Sequence, residues 1–136
     1  GDPTIFTFSV HGEKNFPFRK HPSDLDIGLR DGVTDNEYLE TIEEGLNRAL
    51  FLSVADFAIY VSGADPFTGD RLGKLSVSKA GLMARDTLVL STLQRAGLPV
   101  AVVMGGGYAR DVDDIVDIHL ETVRIAATYT KVLSDV

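Results

Sequence analysis

The chain contains no cysteine. That excludes disulfides and any zinc or iron–sulfur centre held by thiolates. Basic residues are scarce: 13 Lys and Arg against 20 Asp and Glu give a formal net charge of −7 over 136 residues. Such a balance offers no basic face to a nucleic-acid backbone or an anionic membrane, so neither is expected as a partner. A small or cationic substrate is compatible with it. No apolar run approaches the ~20 residues that span a bilayer. Nothing near Gly1 has the pattern of a signal peptide, and the expected location is the cytoplasm. There is no internal repeat, low-complexity tract or obvious linker. Histidine is also sparse, and His11, His21 and His119 have no partners at metal-ligand spacing.

What is present is enough apolar residue, 44% of the chain, to build one core. The pattern alternates strand and helix. Thr4–Val10 is β-branched and aromatic, as in a strand. A long loop with Pro17, Pro22, Gly28 and Gly32 is expected next. Thr34 and Glu37 have the spacing of a capping box, ahead of Leu39, Ile42, Leu46 and Ala49 at helical intervals. Ala55–Ser62 is a nearly continuous apolar strand, the form taken when both faces are covered. Ser78 can cap a second helix carrying Leu82, Val89, Leu93 and Ala96, which ends near Gly97. Pro99–Met104 reads as a third strand, and a third helix carries Val112, Ile115, Val116, Val123 and Ala126.

Three βα units predict an α/β fold with a parallel sheet and helices on both faces. Three strands are few for an independent sheet of this kind, where about 5–6 are usual. The early entry into a strand at GDPTIFTFSV adds to the expectation of a trimmed chain or a fragment.

In open parallel sheets, sites form at the carboxyl ends of strands. The first strand ends at Ser9-Val10-His11, the second at Gly63-Ala64-Asp65 and the third at Gly105-Gly106-Gly107-Tyr108. His11, Asp65 and Tyr108 are therefore expected on one rim. Asp65 is either a functional carboxylate or a cap for the turn that follows. Tyr108 either packs or is freed by the glycines to point into a cleft. His11 is functional by position or a structural hydrogen-bonder. His21 reads as a loop residue and His119 as a packed one. The Gly105–Gly107 loop permits a nucleotide- or phosphate-binding reading, but Arg110 replaces the third glycine of the dinucleotide fingerprint and no Walker lysine follows. Asp111, Asp113, Asp114 and Asp117 read as a solvated face at a helix N-terminus.

These motifs carry a resemblance. Ser62–Leu82, SGADPFTGDRLGKLSVSKAGL, resembles the second aspartate motif of zinc-dependent histone deacetylases, the family that also holds acetoin-utilization proteins and acetylpolyamine amidohydrolases. MGGGY (Met104–Tyr108) resembles its Gly-Gly-Tyr motif. FSVH (Phe8–His11) is similar to its Ser-x-His strand end, and DGVTDNEYL (Asp31–Leu39) to its helix start. The GDRLGxLSxS form looks most like class IV deacetylases and their bacterial relatives. The order and approximate spacing of all four motifs match.

The resemblance implies the C-terminal three βα units of an arginase-like parallel sheet, with residues 1–136 as the C-terminal portion of one deacetylase-like domain. It implies zinc-dependent hydrolysis of an acyl-amide, acetyl-lysine or a similar N-acetylated amine, by the complete domain. Asp65 would be a zinc ligand, and Tyr108 the hydroxyl that stabilises the acyl oxygen as it becomes an oxyanion. Ser9 and the Val10 carbonyl would match ligands of a potassium ion. Leu72, Gly106, Gly107 and Phe16 or Phe18 would match the substrate channel. In the family, the remaining zinc ligands and the general base precede the Ser-x-His strand. This chain alone is then expected to be inactive and to need the missing N-terminal part as partner. A non-catalytic interaction fragment, pairing through an exposed strand edge, is the other alternative.

Overall fold

Four strands and three helices follow in the order β1 (Phe8–Gly12), β2 (Leu25–Leu29), α1 (Asp35–Leu52), β3 (Ala58–Gly63), α2 (Lys79–Arg95), β4 (Val100–Gly105) and α3 (Val112–Thr128). The computed structural model describes residues 2–130. Gly1 and residues 131–136, which the expected domain span includes, lie outside the described residues. The strands form two parallel pairs, β1 with β2 and β3 with β4. The α/β class with parallel strands is as expected; the number of strands is not.

The extra strand, β2, occupies part of the segment expected to be loop. Its LDIGL sequence buries Leu25 and Leu29 and half-buries Ile27, so the alternation is present but short, and Asp26 and Gly28 obscure it. Residues 13–24 form the crossover from β1, about the minimum length a parallel connection needs. No helix fills this crossover. Instead the Lys20 ammonium donates to the carbonyls of Asn15, Glu13 and Pro17 at 2.7, 3.1 and 3.2 Å. All three of its N–H groups are thereby spent on the backbone of its own loop.

Helix α1 buries Tyr38, Ile42, Leu46 and Ala49 on one stripe. The expected capping box does not form. Thr34 stands at the N-cap, but its hydroxyl caps nothing, and Glu37 lies 2.5 Å from Arg30 Nη2. The neighbouring Asp35 turns to the next helix, accepting from Ser78 N at 2.7 Å and Ser78 Oγ at 2.5 Å. Hydrogen bonds to an ionised carboxylate are stronger than a neutral hydroxyl cap, so the tertiary partner decides this end of the helix. Ser78 does cap α2 as expected, accepting from Gly81 N at 2.9 Å. The helix closes before Gly97, whose φ of 72° is the left-handed geometry that ends helices.

The core joins Leu29 and Val33 with the buried stripes of α1 and α2, Leu75, Val77 and Ile118. The expected cover on both faces of the strands is not met in this chain. Ala58, Tyr60 and Ser62 of β3 turn toward the helices, whereas Ile59 and Val61 are 68% and 60% exposed. Val103, the register partner of Val61, is also exposed. Helix α3 departs from expectation too. Ile118 and Thr122 face inward, while Val112, Val116 and Val123 are exposed. The Thr122 hydroxyl donates to buried Asp86 at 2.5 Å, and that bond orients the helix against the pull of its valine stripe.

Leu82 is 1% exposed at the centre of the core. Replacing it with alanine is expected to cost about 2–5 kcal/mol of unfolding free energy, read from urea denaturation. A change below ~0.5 kcal/mol, the scale of surface substitutions, would show that this face of α2 is not packed as described.

A candidate metal and acyl-transfer site at the strand ends

Strand β3 carries the chain to Asp65 through Gly63 and Ala64. Ala64 is fully buried, and its N–H donates to the Gly105 carbonyl at 3.0 Å, which extends the β3–β4 pairing to the brink of the site. Asp65 then rests in a cradle of glycines. A Cβ built on Gly106 would meet Asp65 Oδ1 at 2.5 Å, and one on Gly63 would meet it at 2.7 Å. A Cβ on Gly73 would strike the Asp65 carbonyl oxygen at 2.2 Å. Gly106 has φ 62° as well, so close approach and backbone geometry both require glycine there.

The carboxylate in this cradle is half-buried. Burial pushes its pKa up; its own backbone N–H works against this, Asp70 adds to the rise, and Arg85 opposes it. Among the described residues its charge therefore has no direct cationic partner. Beside it opens a cleft of about 250 Å³, lined by Ser9, His11, Phe16, His21, Asp26 and Asp65 among others. Ser9 Oγ and His11 Nδ1 lie 2.9 Å apart, and Asp26 Oδ1 is 3.9 Å from the same nitrogen. His21, read from sequence as a loop residue, thus joins the cleft wall.

Tyr108 is absent from that cleft's lining and is tied instead to the loop that follows Asp65. Asp70, not singled out in the sequence, makes the connection. Its Oδ1 accepts from Leu72 N at 2.8 Å and Gly73 N at 2.7 Å, and its Oδ2 accepts from Tyr108 N at 2.6 Å. Arg71 adds two bonds to the Tyr108 carbonyl, from its N at 3.1 Å and its Nε at 3.2 Å. One carboxylate therefore ties the loop after Asp65 to the loop that presents Tyr108, whose ring is exposed. Leu72, Phe16 and Phe18 are exposed as well, with the two phenylalanines edge to face at 6.1 Å. Of the three residues expected on one rim, His11 and Asp65 share the cleft, and Tyr108 is coupled to Asp65 through Gly106 and Asp70. His119 is remote, with Nδ1 buried and without a partner among the described residues.

The family model of the histone deacetylase domain matches residues 1–123. The chain belongs to the histone deacetylase domain family. An uncharacterized protein of Picosynechococcus sp. is 49% identical over 118 residues, covering 87% of this chain and 39% of that protein. Histone deacetylase 2 of Arabidopsis thaliana is 27% identical over 112 residues, covering 80% of this chain and 29% of that protein. The chain thus spans well under half the length of these relatives. Among solved structures, an HDAC homolog complexed with SAHA superposes with a TM-score of 0.70 at 23% identity, over 91% of this chain and 35% of that one. At that identity the likeness concerns the fold, which the two share.

The donor set fits a cation in one respect. A half-buried carboxylate with no direct ion pair among the described residues, in a cradle shaped by glycines, suits a divalent ion such as zinc, which takes carboxylate oxygen as a ligand. Among the described residues no group of three metal-ligating side chains surrounds it. The histone deacetylase fold here therefore supplies Asp65 as a single candidate ligand.

The role given to Asp70 has a direct check. Asp70→Asn keeps the shape but loses charge and one acceptor oxygen. Amide hydrogen exchange at Tyr108 is expected to rise by about tenfold or more, one lost charge-assisted bond, with global stability little changed. An unaltered exchange rate would mean that the Asp70 carboxylate does not hold the Tyr108 backbone.

Proposed function

We propose that the complete protein is a zinc-dependent amidohydrolase that removes the acyl group from acetyl-lysine or a similar N-acetylated amine. The observation that carries this reading is the glycine-cradled, unneutralised Asp65 coupled through Asp70 to the Tyr108 loop, in a chain of the histone deacetylase domain family. Bound zinc would supply Lewis-acid polarisation of the scissile carbonyl and a water made acidic enough to attack near neutral pH. Asp65 would hold the ion through its carboxylate. Tyr108 would donate its hydroxyl to the acyl oxygen as negative charge develops there, a contribution worth ~3 kcal/mol of barrier at sites of this kind.

Leu72, Gly106, Gly107 and Phe16 would border the path by which the acyl chain enters. Ser9 Oγ and the Val10 carbonyl would hold a potassium ion on β1. The remaining zinc ligands and the general base would come from chain beyond the described residues, which makes the rest of the domain the necessary partner. By this reading the 136-residue chain alone binds zinc weakly and does not turn over. The exposed Ile59, Val61 and Val103 give such a partner an apolar surface to cover. The net charge of −7 suits a cationic amine substrate. Within the family, the GDRLGKLSVS run (Gly69–Ser78) favours kinship with class IV members.

A nucleotide reading of the Gly105–Gly107 loop has little support. Gly106 faces the Asp65 carboxylate, which would repel a phosphate brought to the same backbone. Helix α3 begins only at Val112, so its N-terminus does not open directly on the glycines.

In the protein expressed from the complete open reading frame, Tyr108→Phe is expected to lower kcat by about 10²–10³ with little change in bound zinc, the scale for one lost oxyanion donor. Asp65→Asn is expected to lose both zinc and activity. Full acetyl-lysine hydrolysis by both variants would remove the assignment.

A further inference from the structure

Arg85 lies on α2 behind the site and is 3% exposed. Its Nε donates to Asp86 Oδ1 at 2.9 Å, and its Nη2 lies 2.8 Å from the same oxygen without hydrogen-bond geometry. Asp86 is served twice more, by the Tyr60 hydroxyl and by the Thr122 hydroxyl, each at 2.5 Å. Both buried charges are thus accounted for by one another and by neutral donors. One strong bond remains that charge pairing does not require. Arg85 Nη1 donates to the Gly63 carbonyl at 2.6 Å.

Gly63 is the last residue of β3, two before Asp65, and its Cα bounds the floor under Asp65 Oδ1. A rotation of the Gly63 peptide would tilt that floor. The guanidinium is a rigid fork that cannot lose its charge in a protein. With one edge fixed on Asp86, it can hold the Gly63 carbonyl in only one direction. Stability alone does not explain such a cation, because buried ion pairs are often replaceable by apolar residues at no loss.

We propose that Arg85 is a positioning residue for metal capture: anchored by Asp86, it fixes the Gly63 carbonyl and so orients the Asp65 carboxylate toward the ion. This rests on the reading of Asp65 as a zinc ligand given above. Its relation to Asp65 is that of an outer partner orienting a ligand, and loss of such partners typically weakens metal binding by 10–100-fold.

The test measures zinc affinity of the protein from the complete open reading frame, by competition with a chromophoric chelator, with circular dichroism and thermal unfolding recorded on each variant. Arg85→Met alone would strand Asp86 and endanger folding, so the main variant is the double substitution Arg85→Met with Asp86→Leu, which removes both charges. It is expected to stay folded and to bind zinc about 10–100-fold more weakly. Arg85→Lys is the second variant. It keeps the charge but has no fork with which to hold Asp86 and the Gly63 carbonyl together, and about tenfold weaker zinc binding is expected. Wild-type zinc affinity in either folded variant overturns the proposal and leaves Arg85 a core residue only. Asp65→Asn separates the two levels. If it abolishes zinc binding while the Arg85 variants bind normally, only the positioning role fails. If it leaves zinc binding intact, the ligand assignment fails and the positioning role with it.

Discussion

Arg85 and Asp86 are consecutive on α2, and both are buried. Taking two charges out of water costs several kcal/mol per ion, so the surroundings must meet them closely. Three other elements do so. Tyr60 reaches Asp86 from β3, Thr122 from α3, and the Gly63 carbonyl meets Arg85 at the end of β3, while the Tyr38 hydroxyl of α1 stands 3.5 Å from Arg85 Nη1. An apolar helix face such as Leu82, Val89 and Leu93 tolerates sliding and rotation, since hydrophobic burial has no direction. The polar network does not. It fixes how α2 is turned toward β3 and α3, and it explains why α3 buries Thr122 and leaves three valines in solvent.

The site inherits this order through the end of β3. Two aspartates follow within one loop, and the structure treats them oppositely. Asp70 accepts three backbone N–H groups and is consumed by architecture. Asp65, cradled by glycines, has no direct cationic partner and carries a pKa raised by burial. A partly buried carboxylate without a direct ion pair is a cost in the free energy of folding. Here that cost falls at the one point where the two strand-end loops meet. The same division recurs nearby, where Lys20 gives all its donors to its own loop while Phe16 and Phe18 on that loop stay exposed.

The sequence made the parallel α/β class, the three helices and the strand-end position of Asp65 legible, because each rests on strong periodicity or on glycine and serine punctuation. Strand β2 was hidden because LDIGL is brief and half polar. The missing capping box shows a local pattern losing to partners elsewhere, as Glu37 pairs with Arg30 and Asp35 with Ser78. The valine stripe of α3 misled for the same reason, since Thr122 answers to Asp86, a residue 36 positions away. Asp70 and Arg85 escaped because an aspartate in a turn and an arginine in a helix are unremarkable as residues. Their meaning lies in which backbone groups they reach across the fold.

The parallel pairing of β3 with β4 bears on how the chain assembles. Parallel neighbours need a long crossover, and here it is the whole of α2; the Ser62 hydroxyl bonds the Val103 carbonyl across 41 positions of sequence. Closure over such distances must be met before its contacts repay it, and non-local pairings form slowly. On a growing polypeptide Asp65 is synthesised well ahead of Gly106. Until β4 docks, the carboxylate lacks the wall that Gly106 gives it. The glycine cradle around Asp65 is thus a product of tertiary pairing and not of the local sequence of its own loop.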